Sequence, residues 1–127
     1  MKKITIKLLS LMVVITLFFT MIGCSFLGLT VDEAKANLEE AGYTVTVMDG
    51  ADYIDSEENQ FTMLVSSELD KYLYAEKGDD KIYMYFFYTT DNASQNYNFM
   101  NMSGMRSGQN NKVVYFGTKQ AVKDSKI

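Results

Sequence analysis

The stretch TVDEAKANLEEAGYTVTV, residues 30–47, carries the clearest structural signals in the chain. Thr30 and Glu33 have the spacing of a capping box, in which a hydroxyl and a carboxylate satisfy free N–H groups of the first helical turn. Apolar side chains then recur at helical spacing on one face: Val31, Ala34, Leu38 and Ala41. Gly42 suits the left-handed position that ends many helices. The stretch therefore predicts an amphipathic helix that begins after Thr30 and ends at Gly42.

A strand pattern follows this helix directly. Residues 43–48 (YTVTVM) alternate Tyr43, Val45 and Val47 with threonines, which predicts a strand with one buried face. Residues 49–59 (DGADYIDSEEN) hold five acids among turn-forming residues and are expected to form an exposed loop. A helix and a strand that each have one apolar face need a larger sheet to pack on.

Three further runs predict the rest of that sheet. They are residues 61–66 (FTMLVS), 72–76 (YLYAE) and 82–88 (IYMYFFY), all rich in aromatic and aliphatic side chains. Residues 77–80 (KGDD) separate the last two runs and predict a hairpin with glycine at the turn.

The segment before this hairpin has a second interpretation. Residues 67–70 (SELD) also fit a capping box, and Leu69, Tyr72 and Leu73 have helical spacing. From sequence alone, residues 69–76 form either a strand or a short helix.

The C-terminal third predicts a helix, a strand and a last helix. Residues 91–104 read as a helix capped by Thr90 or Asp91, residues 112–116 (KVVYF) as a short strand, and residues 119–125 as the final helix. This order predicts the α+β class: a small antiparallel sheet of about five strands with two or three helices packed on one face. Residues 30–127 are expected to form a single domain.

Aromatic residues supply the candidate contact surface. Alternation along the hairpin's second strand puts Tyr83, Tyr85 and Phe87 on one face. If helices cover only the other face, these side chains form an exposed stripe able to stack on glycan or hold a peptide. If the strand is covered on both sides, they are core residues. Tyr97 and Phe99 lie in an uncharged segment rich in Asn and Met, which suits either an adaptable interface or a half-buried helix.

Composition excludes several classes of function. The chain of 127 residues has no His and one Cys, which removes zinc hydrolases and nucleophiles activated by histidine. The acid pairs at residues 57–58 and 79–80 fall in turns, where carboxylates seldom converge as a glycosidase dyad requires. The acids of residues 49–58 lack the spacing of an EF-hand loop, so we treat them as solvated charge. We predict no catalytic residue, no metal and no cofactor.

The N-terminus has the organisation of a secretory signal peptide. Residues 1–7 (MKKITIK) are basic, and residues 8–22 (LLSLMVVITLFFTMI) form an uncharged apolar run shorter than the ~20 residues that span a bilayer. The residues Met21-Ile22-Gly23-Cys24 that follow resemble the lipobox of bacterial lipoproteins, with Met21 at a position where that family usually has Leu.

The resemblance implies a lipid anchor. Members of this family carry a diacylglyceryl group on the cysteine and are cut before it, so residues 1–23 would be the signal peptide, with cleavage between Gly23 and Cys24, and residues 24–29 a lipid-anchored tether. Two acyl chains bind a membrane stably. Two alternatives stay open: an ordinary cleavage site beside an inert cysteine, or residues 8–29 retained as a span. All three place the domain on the extracytoplasmic face of the cell membrane, because the basic N-terminus stays inside.

The mature chain is acidic. Removal of Lys2, Lys3 and Lys7 leaves nine of the 12 basic residues against all 16 acids, a net charge of −7, and Arg106 is the only arginine. Binding to nucleic acid is therefore not expected. The sequence predicts a non-catalytic binding module at the cell envelope, whose partner is an envelope protein or a wall ligand. The alternatives are a small envelope enzyme that uses carboxylates or a Ser/Lys pair, and an accessory subunit without a small ligand.

Overall fold

The computed structural model describes residues 28–127; the predicted signal peptide, Cys24 and residues 25–27 of the tether lie outside the described residues. The elements in chain order are α1 (Val31–Glu40), β1 (Thr44–Asp49), α2 (Gly50–Ile54), β2 (Leu69–Lys77), β3 (Asp80–Phe87), α3 (Thr90–Tyr97), β4 (Arg106–Asn110), β5 (Val113–Gly117) and α4 (Lys119–Ser125). The strands form one antiparallel sheet in the order β1-β2-β3-β5-β4. The predicted α+β class with a five-stranded antiparallel sheet is confirmed.

The first helix forms as its sequence predicts. The Thr30 hydroxyl accepts a hydrogen bond from the Glu33 N–H at 3.2 Å, and the Glu33 carboxylate accepts one from the Thr30 N–H at 3.3 Å. Gly42 follows the helix with φ of +95°, a conformation that side chains with a Cβ rarely adopt. The capping box and the glycine therefore set the two ends of α1.

The predicted hairpin lies at the centre of the sheet. Strands β2 and β3 are joined by Gly78 and Asp79, with Lys77 paired to Asp80. Residues 69–76 are thus a strand, which decides between the two interpretations left open above. Strand β3 pairs with β2 on one side and β5 on the other, so its side chains lie in the middle of both faces.

One face of the sheet, here called the helical face, packs against α1 and α4, in agreement with the prediction of two or three helices on one face. Its core consists of small and aliphatic side chains with two aromatic rings: Ala34, Leu38, Tyr43, Leu73, Ala75, Ile82, Met84, Phe86, Val113 and Ala121. The two helices also contact each other.

The opposite face, here called the aromatic face, lies under a second layer. This cover layer consists of residues 50–68, which include α2, and residues 88–105, which include α3. Its core contains Tyr53, Leu64, Leu69, Tyr72, Tyr85, Phe87, Ala93, Met100, Val114 and Phe116. The sheet is therefore covered on both faces.

Two predictions for the first half of the cover layer are wrong. Residues 49–59 are not simply an exposed loop, because they contain α2 and the fully buried Tyr53. Residues 61–66 form turns rather than a strand. Gly50 explains why α2 can sit there, since a Cβ at this position would lie 1.9 Å from the carbonyl oxygen of Leu69. Gly50 is thus needed because the backbone of α2 passes close to that of Leu69, whereas the sequence suggested an ordinary turn.

The second half of the cover layer also differs from the prediction. Helix α3 ends at Tyr97 instead of continuing to residue 104, and its N-cap is Thr89, whose hydroxyl accepts from the Asn92 N–H at 3.0 Å. Strand β4 was not predicted. Its sequence, RSGQN, has no apolar residue and therefore shows no strand pattern. The strand lies at the edge of the sheet, where it buries no side chain fully.

Candidate functional site

The loop that follows α2 is held in place by hydrogen bonds to its own backbone and to Tyr53. The Asn59 side chain donates to the Ile54 carbonyl at 3.2 Å and accepts from the Phe61 N–H at 2.9 Å. The hydroxyl of the buried Tyr53 accepts from the Gln60 N–H at 3.3 Å. These hydrogen bonds hold the loop without the backbone pairing of a β-sheet. The apolar run FTMLVS can therefore be ordered here without forming a strand.

This fixed loop and the end of α3 form a groove of about 180 Å³. Its lining residues are Gln60, Phe61, Thr62, Met63, Leu64, Asn96, Phe99 and Met100. Leu64 and Met100 are buried, whereas Met63 is 60% and Phe99 66% exposed. Two large apolar side chains, one from each of the two segments that line the groove, are therefore largely exposed to solvent.

The groove has a fixed polar edge. The Asn96 side chain donates to the Glu68 carboxylate at 2.9 Å and to the Asn92 carbonyl at 2.8 Å. These two bonds anchor the Asn96 amide to its own helix and hold the Glu68 carboxylate against a residue that lines the groove. The site thus combines apolar walls with an oriented carboxylate at one side.

Charge is distributed unevenly between the cover layer and the rest of the described chain. Residues 50–68 and 88–105 contain six acids and no Lys or Arg, a net charge of −6. The remaining described residues contain ten acids and nine bases, a net charge of −1. Within residues 28–127, the salt bridges join Lys35 to Glu39 and Lys71 to Asp49, so neither involves a carboxylate of the cover layer. Almost all of the net charge of the described residues therefore lies on the cover layer, which also contains the groove.

The five residues of the candidate contact face end up in three different environments. Tyr85 and Phe87 are 0% and 2% exposed, so the central-strand interpretation holds for them and they are not accessible to a ligand. Tyr83 is half-buried, with its ring centroid 4.9 Å from that of Tyr74. Tyr97 is half-buried, and its hydroxyl lies 3.1 Å from the Ser107 hydroxyl. Of the five, only Phe99 lines the groove.

The buried aromatic residues form a connected cluster beneath the groove. The rings of Tyr53 and Tyr72 stack with centroids 4.1 Å apart, and the hydroxyls of Tyr53 and Tyr85 share a hydrogen bond of 2.9 Å. Burial raises the pKa of Tyr85, Tyr72 and Tyr53 above the ordinary tyrosine value. At the margin of the cluster, burial and the hydrogen bond to Glu76 raise the pKa of Tyr74 to about 12. The cluster is neutral at physiological pH, and Phe61, which lines the groove, packs against its Tyr85 ring.

A second cavity, of about 230 Å³, lies where the described chain enters the domain. Gly28 and Leu29 form part of its wall, together with Lys112 and the ends of β2 and β3. Lys71 also lines it, but its ammonium group is bonded to the Asp49 carboxylate, which raises the pKa of Lys71. This cavity lies next to the predicted tether and has no projecting apolar side chains comparable to Met63 and Phe99.

The described residues show little that suggests reaction chemistry. Within residues 28–127, no group of three or more carboxylates or other ligand side chains is placed to hold a metal ion. Asp80 in the hairpin accepts a hydrogen bond from the Thr118 hydroxyl at 2.9 Å, a contact that joins β3 to the start of α4. No helix in this part of the chain is long and apolar enough to cross a bilayer. The features that stand out are surfaces for contact.

Sequence reasoning identified one wall of the groove and missed the other. Phe99 was a candidate because it lies in an uncharged segment rich in Asn and Met. Met63 was assigned to a strand, since residues 61–66 are apolar. Nothing in the sequence argued against a strand there. A strand would alternate Phe61, Met63 and Val65 against Leu64, whereas in the structure only Leu64 of these is buried. The chain matches no protein-family profile, no curated protein and no solved structure.

Proposed function

We propose that this protein is a lipid-anchored extracytoplasmic lipoprotein that acts as a non-catalytic binding module at the cell envelope, and that it binds an envelope protein through the groove of the cover layer. The observation that carries the binding role is the pair of exposed apolar side chains, Met63 and Phe99, that line the groove from two different segments. Large apolar side chains that project together around a concavity are typical of interaction sites.

The anchor is supported by the residues before the described domain. The signal-peptide pattern of residues 1–22 and the Gly23-Cys24 pair match the lipobox arrangement. Three residues lie between Cys24 and Gly28, where the described chain begins, and the four Cα–Cα steps from one to the other reach at most ~14 Å. A lipid on Cys24 therefore keeps the domain close to the membrane surface, where its partner is expected to be a membrane or envelope protein.

The anchor is tested by the intact mass of protein extracted from membranes, compared between the wild type and Cys24→Ala. We expect the wild type to begin at Cys24 and to carry a diacylglyceryl adduct that the variant lacks. A chain that begins elsewhere without lipid is a freely secreted protein, and a chain that begins at Met1 keeps residues 8–29 as a span. Either result contradicts the anchor and leaves the binding role to be judged separately.

The binding role is tested by photo-crosslinking in intact cells. A photoreactive phenylalanine analogue is placed at position 99, at position 63 or at position 47, where Val47 is exposed on the helical face. We expect positions 99 and 63 to give the same discrete adduct and position 47 to give none. Equal adducts at all three positions, or none at 99 and 63, contradict a binding site at the groove.

A further inference from the structure

We infer that the occupant of the groove is a cationic protein segment that inserts one bulky apolar side chain between Met63 and Phe99 and places Lys or Arg side chains over the surrounding carboxylates. This inference rests on the proposed binding role and adds the chemical class of the partner. It joins two independent features of the cover layer: the shape of the groove and the distribution of charge around it.

The apolar part of the occupant follows from the size and lining of the groove. A volume of about 180 Å³ is smaller than the ~300–1,000 Å³ of sites that enclose a drug-sized molecule. It suits a single large side chain, with the buried Leu64 and Met100 below it. The unbranched Met63 side chain adapts its shape to such an insertion. Phe99, from the other segment that lines the groove, offers an aromatic surface, so an aromatic or long aliphatic side chain of the partner can contact both residues.

The cationic part follows from the charge around the groove. Glu57 and Glu58 are exposed and lie within three residues of Gln60, which lines the groove. Glu68 is held at the groove edge by Asn96. The cover layer contains no Lys or Arg to neutralise these groups. Charge complementarity of this kind steers a partner of opposite sign and sets its orientation.

The same charge disfavours two other occupants. A second copy of this chain docked through the groove in a symmetric dimer would bring two surfaces of net charge −6 together, and like charges across an interface repel. Anionic polymers and anionic lipid headgroups meet the same repulsion. A segment with several Lys or Arg side chains gains from the field instead.

The test measures binding of three dye-labelled pentapeptides, KKFKK, EEFEE and KKSKK, to the full-length protein purified from membranes and held in discs of phosphatidylcholine. Fluorescence anisotropy is read against empty discs. We expect KKFKK to bind most tightly, KKSKK at least ~10-fold more weakly because it lacks the apolar side chain, and EEFEE not at all. Raising the salt from about 50 mM to about 500 mM should weaken the binding of KKFKK several-fold, since surface charges are then screened.

Matched variants separate the two parts of the inference. Phe99→Ser and Met63→Ser each remove one exposed wall, and Val47→Ser removes an exposed apolar side chain from the helical face as the control. The double change Glu57→Gln with Glu58→Gln is matched by Glu39→Gln with Glu40→Gln, an adjacent exposed pair on α1. We expect Phe99→Ser to weaken KKFKK binding ~10-fold and the first glutamine pair ~3-fold, while both controls leave it unchanged.

Each outcome bears on a different statement. If EEFEE binds as well as KKFKK and Phe99→Ser abolishes both, the groove is a binding site and the cationic partner is wrong. If KKFKK binds and neither Phe99→Ser nor Met63→Ser changes its affinity, the attraction is general and the groove is not its site. If no peptide binds, the inference is overturned, and the crosslinking experiment still decides whether the groove binds a partner of another kind.

Discussion

The two faces of the sheet are covered in different ways. The helical face meets α1, whose apolar residues recur at helical spacing, and the seven-residue α4, which buries Ala121. The aromatic face meets two short helices joined to irregular segments, and it is filled by large rings instead of regular periodicity. A face can therefore be well packed without leaving a periodic pattern in the sequence. The irregular cover is also the one that exposes Met63 and Phe99.

The largest expected effects come from truncating the core of each face. Tyr85→Ala removes a fully buried ring that contacts Tyr53, Tyr72 and Phe116, and it also breaks the bond to the Tyr53 hydroxyl. Leu38→Ala removes a fully buried side chain of α1. We expect the free energy of unfolding to fall by ~4 kcal/mol for Tyr85→Ala and by ~3 kcal/mol for Leu38→Ala, measured by urea denaturation. A smaller loss for Tyr85→Ala than for Leu38→Ala would mean that the irregular cover contributes less stability than the regular one.

An intermediate effect is expected at alkaline pH. Because folding raises the pKa of Tyr85, the folded state keeps its proton above pH ~10 while the unfolded state loses it, so the stability present below pH ~10 falls as the pH rises. Tyr85→Phe cannot ionise at this position, and we expect it to be ~1 kcal/mol less stable than the wild type at pH ~8.

The same two proteins are compared at pH ~11, where ionisation of Tyr85 in the unfolded state lowers the stability of the wild type by a further ~1.4 kcal/mol. The gap between the wild type and Tyr85→Phe should close or reverse. A gap that stays constant between the two pH values would show that Tyr85 does not titrate differently in the folded and unfolded chain.

The smallest effects are expected at the helix caps. Thr30→Ala and Thr89→Ala each remove a hydroxyl that accepts from a first-turn N–H, at α1 and α3 respectively. We expect each to lower the free energy of unfolding by ~1 kcal/mol. Amide hydrogen exchange should distinguish the faces, because α3 buries only Ala93 and should open locally, whereas α1 buries Ala34, Asn37 and Leu38. Equal protection of the two helices after these changes would contradict a less stable cover layer.

The elements that the sequence predicted are those whose residues carry their own signal. Helix α1 has a capping box and a C-terminal glycine, and the central hairpin has a glycine turn between β-rich runs. Strand β4 has no such signal, because an edge strand buries little and RSGQN shows no alternation. Helix α2 is too short for a periodic pattern, and Tyr53 is buried by contacts with Tyr72 and Tyr85, which are distant in sequence.

The candidate site was predictable only in part, because part of it depends on contacts between residues that are distant in sequence. Phe99 is conspicuous in an uncharged segment, so its composition singled it out. The groove also needs Met63, which reaches its place through the hydrogen bonds of Tyr53 and Asn59. The acids of the cover layer are visible in the sequence, but their separation from the nine bases of residues 28–127 appears only when residues 50–68 and 88–105 lie on the same face.

The two-residue turn between β2 and β3 has a consequence for the order of folding. Gly78 and Asp79 bring the two central strands together at a low entropic cost of loop closure, so this hairpin can form early, on the microsecond timescale typical of hairpins. Residues 50–68 connect β1 to β2 and gain their contacts only when Tyr72 and Tyr85 are already side by side. We therefore expect the cover layer to assemble last, so that the groove exists only on chains whose sheet is complete.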